Sequence, residues 1–244
     1  MIVITSGKGG VGKSTVTTCL GRALCTLGKT VVLIDMDAGL RSLDLLLNMS
    51  GKTLFDLSDI LEGRCSVSQA VLPLDDKTGL FLLPAPVAAD AVQDVELFRR
   101  LCGKLAEIFD YVLLDSPAGI GQGFENAVVA ADNALVVVTP DPVSVRDGAK
   151  VAALLRQQQI KRARLVINKI QSALILNGVL LNLDEIIDAV GLQLIAAIPN
   201  DDAVICAGAQ GEPLPDCNAA KAFLNLAKRM ENQIVPLLNL KKIC

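Results

Sequence analysis

The chain contains no histidine. Imidazole is therefore excluded as a metal ligand and as a general base near neutral pH, and Asp, Glu, Lys and Ser are left to carry any chemistry. The seven cysteines, Cys19, Cys25, Cys65, Cys102, Cys206, Cys217 and Cys244, form no C-x-x-C pair and are odd in number. That scatter predicts reduced, mostly buried thiols of a cytosolic protein, not a disulfide framework. No uninterrupted apolar run approaches the length of a membrane span. The N-terminus carries neither the basic segment nor the cleavage site of a secretory signal. Cys244 is the last residue, without the three that a prenylation motif places after its cysteine. A large excess of one charge is missing too. The net charge of −3 exerts no general pull towards nucleic acid or an anionic membrane, so no specific nucleic-acid partner is expected. The densest basic cluster, Lys161-Arg162-Ala163-Arg164, is short and reads as a solvated connection between a helix and a strand.

What is present is apolar material in a regular order. With 244 residues, 52% hydrophobic and 20% charged, the chain can fill one large globular domain. Strand-like and helix-like stretches alternate in an α/β rhythm. The spacing predicts strands over 2–4, 30–34, 80–83, 111–114, 134–138, 164–168 and 193–197. It predicts helices over about 14–27, 91–108, 142–158, 182–190 and 219–235, with shorter ones near 57–62 and 67–72. The β-branched run at 30–34 is the pattern of a parallel strand buried on both faces. The expected architecture is α/β: a single domain over 1–235 with a mostly parallel twisted sheet and helices on both faces, then a short tail over 236–244. Ligands in such sheets bind outside the carboxyl ends of the strands, so every strand end is a place to look for function.

The first strand runs into Thr5-Ser6-Gly7-Lys8-Gly9-Gly10-Val11-Gly12-Lys13-Ser14-Thr15 and then a helix. Gly7, Gly12, Lys13 and Ser14 satisfy G-x-x-x-x-G-K-[ST] in the strand–loop–helix setting which that pattern needs. Glycines let main-chain N–H groups close on phosphate oxygens, and the helix behind them points its positive end at the same anion. In this arrangement Lys13 reaches the β- and γ-phosphates and the Ser14 hydroxyl ligates Mg²⁺. The fold expected is that of a P-loop NTPase.

Other strand ends add to this. Strand 30–34 leads into Asp35-Met36-Asp37. Aspartates two apart at a strand end project to the same side, where they orient water or hold a metal shell. Helix capping and turn chemistry account for the same residues equally well. Strand 111–114 leads into Asp115-Ser116-Pro117-Ala118-Gly119. An apolar strand closed by Asp is the arrangement that holds Mg²⁺, often through water. Gly119, Gly121 and Gly123 read as a flexible loop suited to sensing a γ-phosphate. Strand 164–168 ends at Asn168-Lys169-Ile170-Gln171. This is similar to a base-recognition corner, with Gln171 where the guanine-specific N-K-x-D motif has Asp. ATP is therefore favoured over GTP.

Lys8 is extra to the general pattern. The run Lys8-Gly9-Gly10-Val11-Gly12-Lys13-Ser14-Thr15 resembles the deviant Walker A motif of the MinD/ParA family of ATPases. Segments 35–44, 59–65, 115–120, 199–201 and 211–213 resemble further segments of the septum-positioning branch of that family, so the likeness covers roughly residues 1–215. ParA partition proteins usually carry a D-x-D-P-Q-G-N-type segment, absent here, and the flagellar-number regulators usually lack the Gly39-Leu40-Arg41 run.

The resemblance implies roles residue by residue. Lys13 and the N–H groups of Gly9, Gly10, Val11, Gly12, Ser14 and Thr15 hold the phosphates. Lys8 crosses a dimer interface to the partner's phosphates. Asp37 orients the attacking water. Ser14 and Asp35 stand at Mg²⁺, and Asp115 supports it through water. Asn168 contacts adenine, with Pro199 and Asp201 near the base. Helix 142–158 matches one that binds partners, best at Ser144-Val145-Arg146-Asp147, and an amphipathic helix packed on the sheet explains the same residues. The implied protein is an ATP-dependent homodimer and a slow, partner-stimulated ATPase, placing the division septum through MinC-like and MinE-like partners. A related ATPase placing flagella, DNA or a polar complex, and a nucleotide-dependent binding module with negligible turnover, are the other readings. The implied location is cytoplasmic, with peripheral contact to the inner face of the cell membrane.

The C-terminus departs from the family, whose members usually end in a short amphipathic helix with aromatic and basic residues. Phe223, Leu226, Ala227, Met230 and Ile234 stand at helical spacing, a face expected to pack on the domain. After Pro236 come Leu237-Leu238-Asn239-Leu240-Lys241-Lys242-Ile243-Cys244, with no aromatic anchor and with Lys241 interrupting the apolar face. The expectation is weak, ATP-dependent binding to anionic membrane through the two tails of a dimer.

Overall fold

The computed structural model describes residues 1–87 and 94–239. The valine, isoleucine and leucine runs become β1 (Ile2–Thr5), β2 (Val31–Asp35), β3 (Leu72–Pro73), β4 (Leu80–Leu83), β5 (Tyr111–Asp115), β6 (Asn133–Val138), β7 (Arg162–Ile170) and β8 (Leu194–Pro199). They form one eight-stranded sheet in the order β3-β4-β2-β5-β1-β6-β7-β8. All neighbours are parallel except β3, which pairs antiparallel with β4 at the edge. The connecting helices are α1 (Lys13–Thr26), α2 (Ser42–Leu46), α3 (Leu57–Leu61), α4 (Val67–Ala70), α5 (Val95–Ile108) and α6 (Gln122–Val129). They continue with α7 (Pro142–Gln157), α8 (Ser172–Leu176), α9 (Leu183–Val190), α10 (Asp202–Gln210) and α11 (Asn218–Met230).

Alternation along each strand feeds two cores. Val31 and Leu33 of β2 face the layer of α1, α2 and α11, while Val32 and Ile34 face the layer of α5, α6, α7 and α9. Burial on both faces is why the strands read as unbroken apolar runs. The chain leaves β1 through α1 towards β2 on one side, then passes back through β5 and α6 to β6 on the other. The carboxyl ends of β1, β2 and β5 therefore border the crevice where the strand order reverses.

Several elements differ from expectation. Helix α11 ends at Met230, not at 235. Asn232 adopts φ 59, and the Gln233 N–H donates to the Lys228 carbonyl at 3.0 Å, a left-handed closure that terminates the helix. Ile234 consequently lies beyond the helix and is fully exposed, while Phe223, Leu226 and Ala227 pack as expected. The glycine loop after β5 is shorter than read, because α6 starts at Gln122 and takes Gly123 into its first turn. Helices α2, α8 and α10 carry no signal that the periodicity revealed. The first residues of the helix expected over 91–108, and residues 240–244 of the tail, lie outside the described residues. The thiols are less buried than expected. Of the six described, all are free and only Cys102 is fully buried, while Cys206 is exposed. No described helix is long and apolar enough to cross a membrane.

Candidate nucleotide site

The loop between β1 and α1 is held from two sides. Gly12 caps α1 at φ 92, and a Cβ there would stand 2.5 Å from the Asn168 side-chain nitrogen. That nitrogen donates to the Val11 carbonyl at 2.9 Å. Its neighbour Lys169, itself at φ 55, donates from Nζ to the Gly10 carbonyl at 2.8 Å. The end of β7 thus braces the loop with two side chains. On the other side Gly7 lies flush against α7, since a Cβ on it would meet the Asp147 carbonyl oxygen at 2.5 Å. A side chain at Gly7 would have to move the backbone of α7, and one at Gly12 would displace the Asn168 amide and strain the left-handed backbone.

Above the loop is a cavity of about 520 Å³, lined by Gly9, Gly10, Gly12, Lys13, Ser14, Thr15, Asp37, Ala118 and Lys169. A second hollow of about 420 Å³ shares Thr15 and Lys169 with it and continues along Asn168, Pro199, Asn200, Asp201 and Ile205. A polar, glycine-floored chamber beside a more apolar slot suits the phosphates and base of one nucleotide. Asn168 lines the slot while its amide nitrogen is committed to the loop. Asp201 caps α10 through the Ala203 N–H at 3.0 Å and also accepts from the Ala219 N–H at 3.3 Å, so its carboxylate shapes the slot.

The carboxylates divide the work. Asp35 and Asp115 stand opposite each other across β2 and β5, both fully buried. Both Asp35 oxygens are taken by backbone donors, the Asp37 N–H at 2.9 Å and the Leu43 N–H at 3.0 Å, which fold the segment after β2 around it. Burial, with the neighbouring Asp115 charge, pushes its carboxyl up to about 7 against those donors. Asp115 accepts from the Thr17 hydroxyl at 2.8 Å through Oδ1, while Oδ2 is buried without a hydrogen-bond partner. Burial pushes Asp115 up to about 6, opposed by the Ser14 and Thr17 hydroxyls and by Lys13. Burial also lowers the Lys13 ammonium, opposed by Asp115 and Asp37. Asp37 is raised by burial and pulled back by Lys13.

An orphaned buried carboxylate oxygen next to a hydroxyl fits a hydrated Mg²⁺ shared with phosphate oxygens, which needs few protein ligands. Among the described residues no cluster of three acidic or thiol side chains forms a fuller metal cage. Asp115 is thus the carboxylate with an oxygen to spare, and Asp35 is engaged by the backbone.

Lys8 does not line the cavity of its own chain. Its Nζ lies 3.3 Å from Asp141 Oδ1, and Asp141 also caps α7 through the Ser144 N–H at 3.0 Å. Asp147, turned towards Gly7, pairs with the exposed Arg146 at 3.2 Å and Lys150 at 3.4 Å, and α7 packs on the sheet through Val145, Val151 and Leu155. The expectation of an amphipathic helix packed on the sheet is met by these apolar residues. Thr17 and the bracing role of Lys169 were missed in the sequence. Lys169 was visible as the second residue of the Asn-Lys pair, whereas Thr17 had no signal beyond its place one turn after Lys13.

Fold and site together define a P-loop nucleotide-binding protein. Residues 2–214 match the family described as the CobQ/CobB/MinD/ParA nucleotide binding domain, and the chain belongs to that family. It is similar to the septum site-determining protein MinD of Bacillus subtilis (strain 168), 43% identical over 244 residues that cover 97% of this chain and 90% of that protein. Among solved structures, MinD in the MinC:MinD cell division protein complex of Aquifex aeolicus superposes with a TM-score of 0.90 at 37% identity, covering 97% of each chain. The septum site-determining protein MinD complexed with Mg-ADP from Pyrococcus horikoshii OT3 gives 0.84 at 26% identity, covering 94% of this chain and 95% of that one.

Proposed function

We propose that this chain is an ATP-driven, dimerising switch of the MinD type that positions the division septum through a MinC-like inhibitor. The observation that carries the reading is Lys8, a phosphate-loop lysine that turns out of its own cavity to Asp141. Its charge has a further use when a second copy brings its nucleotide to that side. Leu40 and Leu45, at the cavity wall, are 68% and 65% exposed, an apolar rim that a facing copy covers.

Lys13 and the loop N–H groups hold the phosphates, and Asn168 faces the adenine. Ser14 and Asp115 would hold Mg²⁺ and its water, and the ion would supply positive charge against the phosphates. Asp37 lines the cavity close enough to Lys13 to feel its charge, and orients the attacking water. Turnover is slow and is stimulated by a MinE-like partner on α7, with Arg146 and Asp147 as contacts. The dimer acts at the inner membrane face through its two tails.

The reading is tested by ATP turnover and sedimentation of wild type and Asp37→Ala with anionic vesicles and partner. Wild type should hydrolyse ATP and dimerise only with ATP. Asp37→Ala should bind ATP and dimerise without turnover. A variant that still hydrolyses ATP at the wild-type rate removes Asp37 from the reaction.

A further inference from the structure

The end of the sheet opposite the nucleotide holds another hollow, of about 250 Å³, between the first residues of β6 and β7 and the last turn of α11. Alternation puts Arg162 and Arg164 on the same side of β7 as Val166, under α11. Arg229 closes the hollow from α11. Its Nε donates to the Val235 carbonyl and its Nη1 to the Ile195 carbonyl, each at 2.9 Å, and its Nη2 is buried with no partner. The Arg162 guanidinium makes no ion pair among the described residues, and Arg164 has only a 3.4 Å contact with the Ala163 carbonyl.

Among the described residues no carboxylate lines the hollow. Those beside its lining residues in sequence are engaged, Asp110 by the Thr30 N–H and hydroxyl at 2.8 Å each. Glu231 is held by Lys29 at 2.6 Å and by the Tyr111 hydroxyl, and Asp132 by the Met1 ammonium at 3.3 Å and Lys161 at 3.0 Å. Three guanidiniums line the hollow, and those of Arg162 and Arg164, without an ion pair among the described residues, offer planar forks that match phosphate oxygens. The rim says which phosphate. Asn232 lines the hollow, and Val235 is tied to it by Arg229. Beside them Ile234 is fully exposed and Leu237 is 43% exposed. Apolar side chains in water next to unpaired guanidiniums are the surface of an element that sits at a lipid interface.

We propose that Arg162 and Arg164, in the hollow that Arg229 closes, form a phosphate site for the headgroup of an anionic lipid, seated where the tail leaves the domain. It rests on the reading that the protein works at a membrane. Two arginines that the sequence presents as part of a solvated connection thereby gain a role once Arg229, 65 residues further along the chain, closes the hollow over them.

The test is co-sedimentation of the full chain, with ATP and Mg²⁺, on vesicles of phosphatidylglycerol mixed with phosphatidylcholine and on phosphatidylcholine alone. The variants are Arg162→Gln alone and Arg162→Gln with Arg164→Gln, chosen to leave the Arg229 backbone contacts in place. Wild type should bind the mixed vesicles only. The double variant should lose roughly tenfold or more in affinity, from two basic residues at an anionic surface, and the single variant a smaller part. Lipid-free ATP turnover and melting temperature should be unchanged in both. Glycerol 3-phosphate and inorganic phosphate at millimolar concentration should neither displace the protein from vesicles nor raise its melting temperature.

Wild type that binds no vesicle overturns the membrane reading and this site together. Wild type and double variant that bind equally overturn the site alone and leave the membrane to the tail. Displacement or stabilisation by free phosphate assigns the hollow to a soluble anion and overturns the lipid.

Discussion

Asp115→Asn tests the electrostatics of the site without touching its shape. Asparagine keeps Oδ1 as an acceptor for the Thr17 hydroxyl and removes the charge that burial opposes. Moving a carboxyl from its ordinary 3.8 to about 6 corresponds to about 3 kcal/mol of penalty on the charged form. The sign follows from the direction. A carboxyl raised in the folded state contributes stability that is complete below about pH 4 and is lost as pH rises through about 6. At pH 8 without Mg²⁺ the wild type carries the full penalty and the variant does not. The new amide nitrogen sits where Oδ2 had no partner, and a poorly paired buried donor offsets about 1–2 kcal/mol of the gain. The net expectation is about 1–2 kcal/mol in favour of the variant, or roughly 2–8 °C in melting temperature for a domain of this size. At pH 5 the wild-type carboxyl is largely protonated and the gap should nearly close. Mg-ATP should raise the wild-type melting temperature and raise that of the variant much less. Melting curves at the two pH values, with EDTA or Mg-ATP, settle it. A variant less stable than wild type at pH 8 in EDTA, or a gap of equal size at both pH values, would refute the reasoning.

Lys8→Ala should melt within a degree or two of wild type, because the pair it forms with Asp141 is about a third exposed and contributes at most about 1 kcal/mol. The same variant should remain monomeric in sedimentation with ATP, and a normal ATP-dimer would remove the crossing role. Gly12→Ala should cost about 1–2 kcal/mol for the left-handed backbone alone, with more from the contact at Asn168, and should lose nucleotide binding in titration calorimetry. ATP should outcompete GTP by at least roughly tenfold, since Gln171 lacks the carboxylate that pairs with the donors of guanine. Equal affinities would detach Asn168 from base recognition.

The sheet was legible because its strands are buried on both faces, so Val31 to Ile34 and Val112 to Leu114 read as apolar runs without knowledge of their neighbours. The phosphate loop was legible because it is one contiguous stretch. Helix α10 escaped because Ala203, Ala207, Gly208 and Ala209 are small and give almost no apolar face. The end of α11 escaped because it depends on Asn232 adopting a left-handed conformation, which asparagine does only in context. At the site, the sequence put two aspartates at the end of β2 but was silent on which had oxygens free. That depends on the N–H of Leu43, eight residues away, folding back onto Asp35. The arginine hollow needed β7 and α11 to meet, which no local pattern reports.

The two side chains that brace the phosphate loop have a thermodynamic consequence. Asn168 and Lys169 fix the Val11 and Gly10 carbonyls through side chains of β7, so the shape of the loop is set by the protein and not by the ligand it holds. A cradle shaped in advance gains the same saving from a diphosphate as from a triphosphate. That contribution is common to both and does not by itself tell them apart. In the proposed dimer, discrimination falls to the groups that would meet the third phosphate: Lys13 in the loop, Asp37 in the segment after β2 and Lys8 of the facing copy. The clock of such a cycle would lie in how long two chains stay together, not in how tightly either one grips its ligand.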